Sequence, residues 1–109
     1  MQISVFARAV ADLIRKCRLK SEDFEAFKRV LAEHPEMGDL VQGTGGIRKT
    51  RLKSATKGKS GGFRVCYYFH DMGIGRIYLI TIYQKNEKED LSPNEKKELK
   101  QLADIIKRK

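Results

Sequence analysis

Cations at alternate positions are the residues of this chain whose types and spacing could do chemistry. Lys49, Arg51 and Lys53 stand two residues apart in the segment IRKTRLK, and Arg64 lies among apolar residues in GFRVCYYFH. Because side chains alternate between the two faces of a strand, the first three share one face. Cations crowded in this way either face water or bind an anion, most simply nucleic-acid phosphate.

The rest of the positive charge surrounds these residues. The chain has 109 residues and a formal net charge of +9, and residues 40–85 carry nine basic residues and one acid, a net charge of +8. The excess charge therefore lies in sheet-forming sequence rather than in a tail, which predicts a rigid surface for a polyanion. We predict RNA-binding roles for the outer cations of this surface, namely Arg48, Lys53, Lys57, Lys59 and Arg76.

The same residues also have simpler interpretations. Arg64 could be a surface arginine or the partner of a local acid, and the lysines could protect an exposed sheet against aggregation. Tyr83 and Lys85 end the last predicted strand, where they could reach a substrate held over the sheet. They could equally be a tyrosine at the rim of the core and a solvated lysine.

The hydrophobic pattern predicts the elements that position these residues. Phe24, Phe27, Val30 and Leu31 form the buried stripe of one predicted helix. Within the glycine-rich passage 38–46, which has no apolar period, we predict a flexible turn at residues 43–46. The predicted order is a strand at 3–6, a helix at 10–17, a helix from an N-cap at Ser21 to Pro35, strands at 47–53, 62–70 and 76–83, and a helix opened by the capping box of Ser92 and Glu95.

This order predicts an α+β fold in one domain, residues 1–109. A small twisted, mostly antiparallel sheet in the order β-α-α-β-β-β-α is flanked by an N-terminal helical hairpin and a C-terminal helix. The short links between the last three strands favour an antiparallel meander.

The composition also argues against several classes of protein. No run of about 18 apolar residues is present, so we expect no membrane span. Cys17 and Cys66 lie on different elements without a CxxC pair, which is typical of reduced thiols in a cytoplasmic protein. His34 and His70 are far apart, and the sequence shows no clustered carboxylates or thiols of a metal site, so we expect no metal and no other cofactor.

Three stretches of the sequence resemble the RelE superfamily of toxins from bacterial type II toxin–antitoxin modules, and within it the HigB-like branch. They are GDLVQGTGGIRKTRLKS (38–54), GGFRVCYYF (61–69) and LITIYQKNEKEDLS (79–92). The resemblance covers nearly the whole chain and implies the fold predicted above. It also implies a cytoplasmic toxin that inhibits translation and is neutralised by a cognate helix-turn-helix antitoxin.

The activity that the resemblance implies is that of an mRNA interferase, a ribosome-dependent endoribonuclease that cuts messenger RNA in the decoding site. It implies catalytic roles for Lys49, Arg51, Arg64, Tyr83 and Lys85, in a metal-free attack of the RNA 2′-hydroxyl on its own phosphodiester. Asn86 stands where some relatives carry a second arginine. Superfamily members that poison gyrase share the fold but lack this group of basic residues, so its presence here argues against that activity.

The residues suggest a division of labour. Arg64 can stabilise the phosphorane because its planar fork matches two phosphoryl oxygens. Lys49, crowded by cations, is a candidate general base, and Tyr83 or Lys85 could position or protonate the leaving group. The main alternative is a non-catalytic RNA- or ribosome-binding protein whose basic strands follow the backbone while Tyr67, Tyr68 and Phe69 stack on bases.

Overall fold

Five strands and two long helices form the described part of the chain. The structure is a computed structural model that describes residues 2–5, 11–12, 14–16, 19–52, 62–70, 75–85 and 90–108. The elements are β1 (Gln2–Val5), α1 (Ser21–Glu33), β2 (Asp39–Leu40), β3 (Ile47–Leu52), β4 (Phe63–His70), β5 (Arg76–Gln84) and α2 (Pro93–Lys107). The predicted helix at 10–17 lies partly outside the described residues. Those of its residues that the structure describes, 11–12 and 14–16, are helical.

The strands form one sheet in the order β1-β5-β4-β3-β2. β3, β4 and β5 pair antiparallel, as the short links predicted, and β1 pairs parallel with β5 at the edge. The predicted α+β fold is therefore confirmed. The two-residue strand β2 was not predicted, because two residues show no periodicity; it arises from the pairing of Asp39 and Leu40 with Lys49 and Arg48 of β3.

One face of the sheet, which we call the N-terminal face, packs against α1. Phe24, Phe27 and Leu31 of α1 join a buried cluster with strand residues that include Val65 and Tyr67. Burial of large apolar side chains on this scale is the main stabilising contribution to such a fold. Val30 departs from the predicted stripe: 49% of it is exposed, and the buried residues of α1 are Phe24, Phe27 and Leu31.

The opposite face, which we call the C-terminal face, packs against α2. Leu99, Ala103 and Ile106 of α2 are buried in a second cluster that contains Ile47 of β3 and Tyr68 of β4. The sheet therefore has a core on both sides, and α2 lies over the end of β3 that begins with Ile47.

The helix starts differ in how their backbone donors are satisfied. Ser92 caps α2 as predicted: its Oγ accepts from the Glu95 backbone N–H at 3.1 Å, and the Glu95 carboxylate accepts from the Ser92 N–H at 2.8 Å. Ser21, in contrast, is the first helical residue of α1, and the N-cap position is Lys20, which makes no side-chain cap. The prediction of Ser21 as the cap was wrong by one residue, because the burial of Phe24 and Phe27 rather than a cap sets where this helix begins.

Candidate functional site

Arg51, Arg64 and Tyr83 form a row across three strands on the C-terminal face. In the sheet register Arg51 is opposite Arg64, and Arg64 is opposite Tyr83. Lys49 lies on the same face, two residues along β3 and opposite Cys66. Four of the five residues for which a catalytic role was predicted therefore share one region of one face.

The pairing of Arg51 with Arg64 places two like charges directly opposite each other. Such cross-strand neighbours have Cβ atoms about 4.5–5.5 Å apart, and like charges there destabilise a sheet. Arg51 is exposed and Arg64 is half-buried, and the Arg64 guanidinium also reaches the Phe63 carbonyl oxygen at 3.4 Å. A phosphate placed between the two guanidinium groups would relieve their repulsion.

A β-bulge brings Tyr83 to this face. Cys66 pairs with Thr81 while the next residue, Tyr67, pairs with Leu79, so Ile80 is an extra residue in β5. Without this insertion, strict alternation would place Tyr83 on the N-terminal face with Leu79. The bulge is thus the local feature that aligns the phenol with Arg64, and the sequence pattern did not predict it.

Burial controls the protonation of Tyr83. Only 5% of the residue is exposed, and burial is the first cause that raises its pKa to about 12, followed by the nearby Cys66 and Asp90, while Arg64 acts in the opposite direction. A phenol with this pKa keeps its proton at neutral pH. Tyr83 can therefore donate a hydrogen bond or a proton, but it does not serve as a base.

Lys49 forms an ion pair that the sequence did not indicate. Its Nζ lies 3.2 Å from Oδ1 of Asp90, and the same oxygen accepts from the Leu91 backbone N–H at 2.8 Å. The Leu91 N–H, and then the Lys49 ammonium, hold the pKa of Asp90 below its usual value. Asp90 was missed because 41 residues separate it from Lys49; its position before the capping box of α2 was the available signal.

The remaining predicted cations lie elsewhere. Arg48 lies on the N-terminal face opposite Tyr67, where its guanidinium donates to the carbonyl oxygens of Gly38 at 2.7 Å and Glu36 at 3.2 Å. Arg76 is exposed at the opposite end of β5 from Tyr83, paired with His70. Lys85 is exposed just after β5. Lys53, Lys57 and Lys59 lie outside the described residues.

Within the described residues, no three His, Cys, Asp or Glu side chains are grouped so that they could hold a metal ion. None of the helices in the described part of the chain is both long enough and apolar enough to span a bilayer.

Comparisons with known proteins agree with this fold. Residues 6–109 match the family model described as the RelE toxin of the RelE/RelB toxin–antitoxin system. A solved structure of the E. coli toxin RelE, a double-arginine mutant in the free state, is also similar, with a TM-score of 0.53 and 22% sequence identity over 81% of this chain and 86% of that one. At this identity the structural likeness shows the fold, whereas the family model extends over almost the whole sequence. The chain therefore belongs to the RelE family of toxins from toxin–antitoxin systems.

Proposed function

We propose that this toxin is an mRNA interferase that cleaves messenger RNA held in the ribosomal decoding site. The observation that carries the proposal is the row of Arg51, Arg64 and Tyr83 on the C-terminal face, with Lys49 beside it. The family supplies the reaction class, since RelE toxins are known as ribonucleases. The residues of this chain supply the roles within it.

Arg51 and Arg64 would bind the scissile phosphate. A guanidinium group donates two parallel hydrogen bonds to a pair of phosphoryl oxygens, and it stays charged throughout the reaction. Two such groups on neighbouring strands match the negative charge that grows on the phosphorane. Removal of one preorganised donor of this kind typically costs about 10² to 10³ in rate, and we assign the larger share to Arg64 because it also neighbours Tyr83.

The proposed step needs solvent water as the proton acceptor and no other reactant besides the RNA and the toxin. The 2′-oxygen forms a bond to phosphorus and loses its proton to solvent water, and the bond between phosphorus and the 5′-oxygen breaks. The products are a 2′,3′-cyclic phosphate and a 5′-hydroxyl, whose proton comes from the Tyr83 phenol or the Lys85 ammonium. Lys85 is exposed and can reach a bound substrate directly. Tyr83 is only 5% exposed, and its raised pKa of about 12 makes it a weaker acid than a free phenol.

The ion pair with Asp90 changes the role that we assign to Lys49. A lysine acts as a general base through the free electron pair of its amine, and an ammonium in an ion pair has none. We therefore place Lys49 among the phosphate-binding cations rather than as the proton acceptor. A protein without its own strong base depends more on alignment of the substrate, which is worth about 7 to 11 kcal/mol when complete. A ribosome that holds one codon in place could supply this alignment.

The family also implies a partner, because a toxin of a toxin–antitoxin system is paired with an antitoxin. We propose a helix-turn-helix antitoxin, a cytoplasmic location and a place in the HigB-like branch. An antitoxin that masks the basic surface by charge should associate more slowly as ionic strength rises. An association rate constant that stays flat from low to high salt would instead favour inhibition by bulk alone.

Two of the three aromatic residues that a base-stacking RNA-binding protein would use are buried. Tyr67 is fully buried on the N-terminal face, and Tyr68 is buried against α2 on the other face, with 8% exposed. Both rings belong to the core, which weakens this alternative. A binder that relies on charge alone remains the competing function, and it predicts binding without cleavage.

The test compares cleavage of one messenger in two states, free in solution and bound in a programmed ribosome. We expect slow or no cleavage of the free RNA, weak binding to it that falls steeply with salt, and ready cleavage on the ribosome. Arg64→Ala provides the background rate. Equal rates in the two states would indicate a self-sufficient ribonuclease, and absence of cleavage in both would favour the charge-based binder.

A further inference from the structure

An acidic residue stands at the edge of the basic surface. The Asp90 carboxylate lies 3.2 Å from the Lys49 ammonium, and the two side chains come from a loop and a strand that are distant in sequence. An acid at a site for a polyanion reduces the affinity of that site for phosphate. We therefore expect Asp90 to contribute something to the reaction that outweighs this loss of phosphate affinity.

The Asp90 side chain is 62% exposed, and a backbone hydrogen bond orients its carboxylate. Oδ1 accepts from the backbone N–H of Leu91, a residue buried against α2 with 6% exposed. Ser92 follows directly and closes the capping box of α2. The two residues directly after Asp90 are thus held by the core and by the start of α2. The Leu91 N–H orients the carboxylate towards the Lys49 ammonium.

Asp90 also lies within electrostatic reach of the row. Both Asp90 and Arg64 affect the pKa of Tyr83, the first raising it and the second lowering it. Lys49 precedes Arg51 by two residues on the same face of β3. The anchored ammonium therefore stands next to the residues to which we assign phosphate binding, rather than at a separate point of the surface.

We propose that Asp90 is a positioning residue for the cleavage reaction, and that its carboxylate holds the Lys49 ammonium where it contacts the scissile phosphate beside Arg51 and Arg64. This inference rests on the proposed function. Lysine is a point charge on a stem with four rotatable bonds. Fixing the tip before substrate binds reduces the ordering that the transition state requires. The simplest competing interpretation is a surface ion pair of little consequence.

The decisive variant is Asp90→Asn. Asparagine keeps an oxygen that can accept from the Leu91 N–H, so only the charge is removed. We expect the toxin to bind the programmed ribosome and RNA as tightly as before or more tightly, because the net charge rises by one. The rate constant for cleavage at saturation should fall by about tenfold to a hundredfold, the range for loss of one charge-assisted hydrogen bond. A structural defect would weaken binding and cleavage together.

A matched control and a double variant complete the test. Asp104→Asn removes the partner of Lys100, 3.4 Å away on an exposed part of α2, and should leave cleavage unchanged. If Asp90 acts through Lys49, adding Asp90→Asn to Lys49→Met should cause no further loss. An unchanged rate in Asp90→Asn, or fully additive losses in the double variant, would overturn the inference while leaving the proposed function intact.

A readout that does not depend on activity separates the inference from the proposed function. In nitrogen NMR, the Lys49 ammonium of the wild-type protein should give a signal distinct from those of exposed lysines. In Asp90→Asn this signal should move to the position of the exposed lysines. If the wild-type protein fails to cleave, the proposed function is wrong; if the Lys49 signal is the same in both proteins, the inference about Asp90 is wrong.

Discussion

The two faces of the sheet place arginines in different surroundings. On the N-terminal face, Arg48 donates to two backbone carbonyl oxygens and pairs with the Glu36 carboxylate at 3.5 Å. On the C-terminal face, Arg51 is opposite Arg64 across the strand pair, so two cations face each other. The Arg48 guanidinium is thus bound by a carboxylate and two carbonyl oxygens, whereas the C-terminal face brings Arg51, Arg64 and Lys49 together. We infer that the first serves stability and the second serves function.

The largest expected effect concerns the N-terminal face. Tyr67 is fully buried, and its hydroxyl accepts from the Gly38 N–H at 3.0 Å and donates to the Pro35 carbonyl at 2.8 Å. Tyr67→Ala should lower the free energy of unfolding by about 3–5 kcal/mol, as for other large aromatic truncations in cores. Tyr67→Phe, which loses only the hydroxyl, should cost about 1–3 kcal/mol. Denaturant titration measures both, and a loss below 1 kcal/mol for Tyr67→Ala would contradict the role assigned to this face.

The next effect concerns Tyr83 and pH. Its pKa is raised from 10.0 to about 12 in the folded protein, chiefly by burial. The fold favours the neutral phenol, so this contribution to stability is complete below pH 10 and is lost as pH rises towards 12. Tyr67 and Tyr68 also have raised pKa values because they are buried, so the measurement is the difference between the wild-type protein and Tyr83→Phe. The loss of stability in alkali should be smaller in Tyr83→Phe, and identical curves would contradict the assignment.

The smallest expected effect is a gain in stability when Arg51 is replaced. Because Arg51 and Arg64 are opposite each other, Arg51→Thr removes a like-charge contact and introduces a residue that favours strands. The free energy of unfolding should rise by about 0.2–1 kcal/mol, while cleavage on the ribosome falls. The gain should shrink at high salt, where the repulsion is screened. A loss of stability at low salt would show that Arg51 contributes to the fold.

Much of this fold could be predicted from local patterns, and the exceptions have physical causes. The capping box at Ser92 and the alternation in β4 are determined by neighbouring residues, and the sequence shows both. The start of α1 at Ser21 and the exposure of Val30 depend on how the helix packs, so a pattern within the helix did not predict them. The pairing of β2 with β3 likewise depends on residues that are not adjacent in the chain.

The candidate site shows the same division. The alternation in β3 predicted that Lys49 and Arg51 share a face, and the strand register places Arg64 of β4 on that face with them. The two features that complete the site, the bulge that turns Tyr83 and the ion pair of Asp90 with Lys49, come from contacts between distant segments. Arg48 was predicted to bind RNA, but it donates instead to the carbonyl oxygens of Glu36 and Gly38. Its sequence neighbours do not indicate these contacts.

The most direct test of the account compares Arg64→Ala with Arg48→Ala for growth inhibition and for unfolding. The account predicts that Arg64→Ala abolishes growth inhibition and changes the free energy of unfolding by no more than about 1 kcal/mol. It predicts that Arg48→Ala loses about 1.5–3 kcal/mol of stability through its hydrogen bonds and, while folded, still inhibits growth. The reverse pattern, with Arg64→Ala unfolding readily and Arg48→Ala stable but inactive, would contradict the assignment of stability to one face and function to the other.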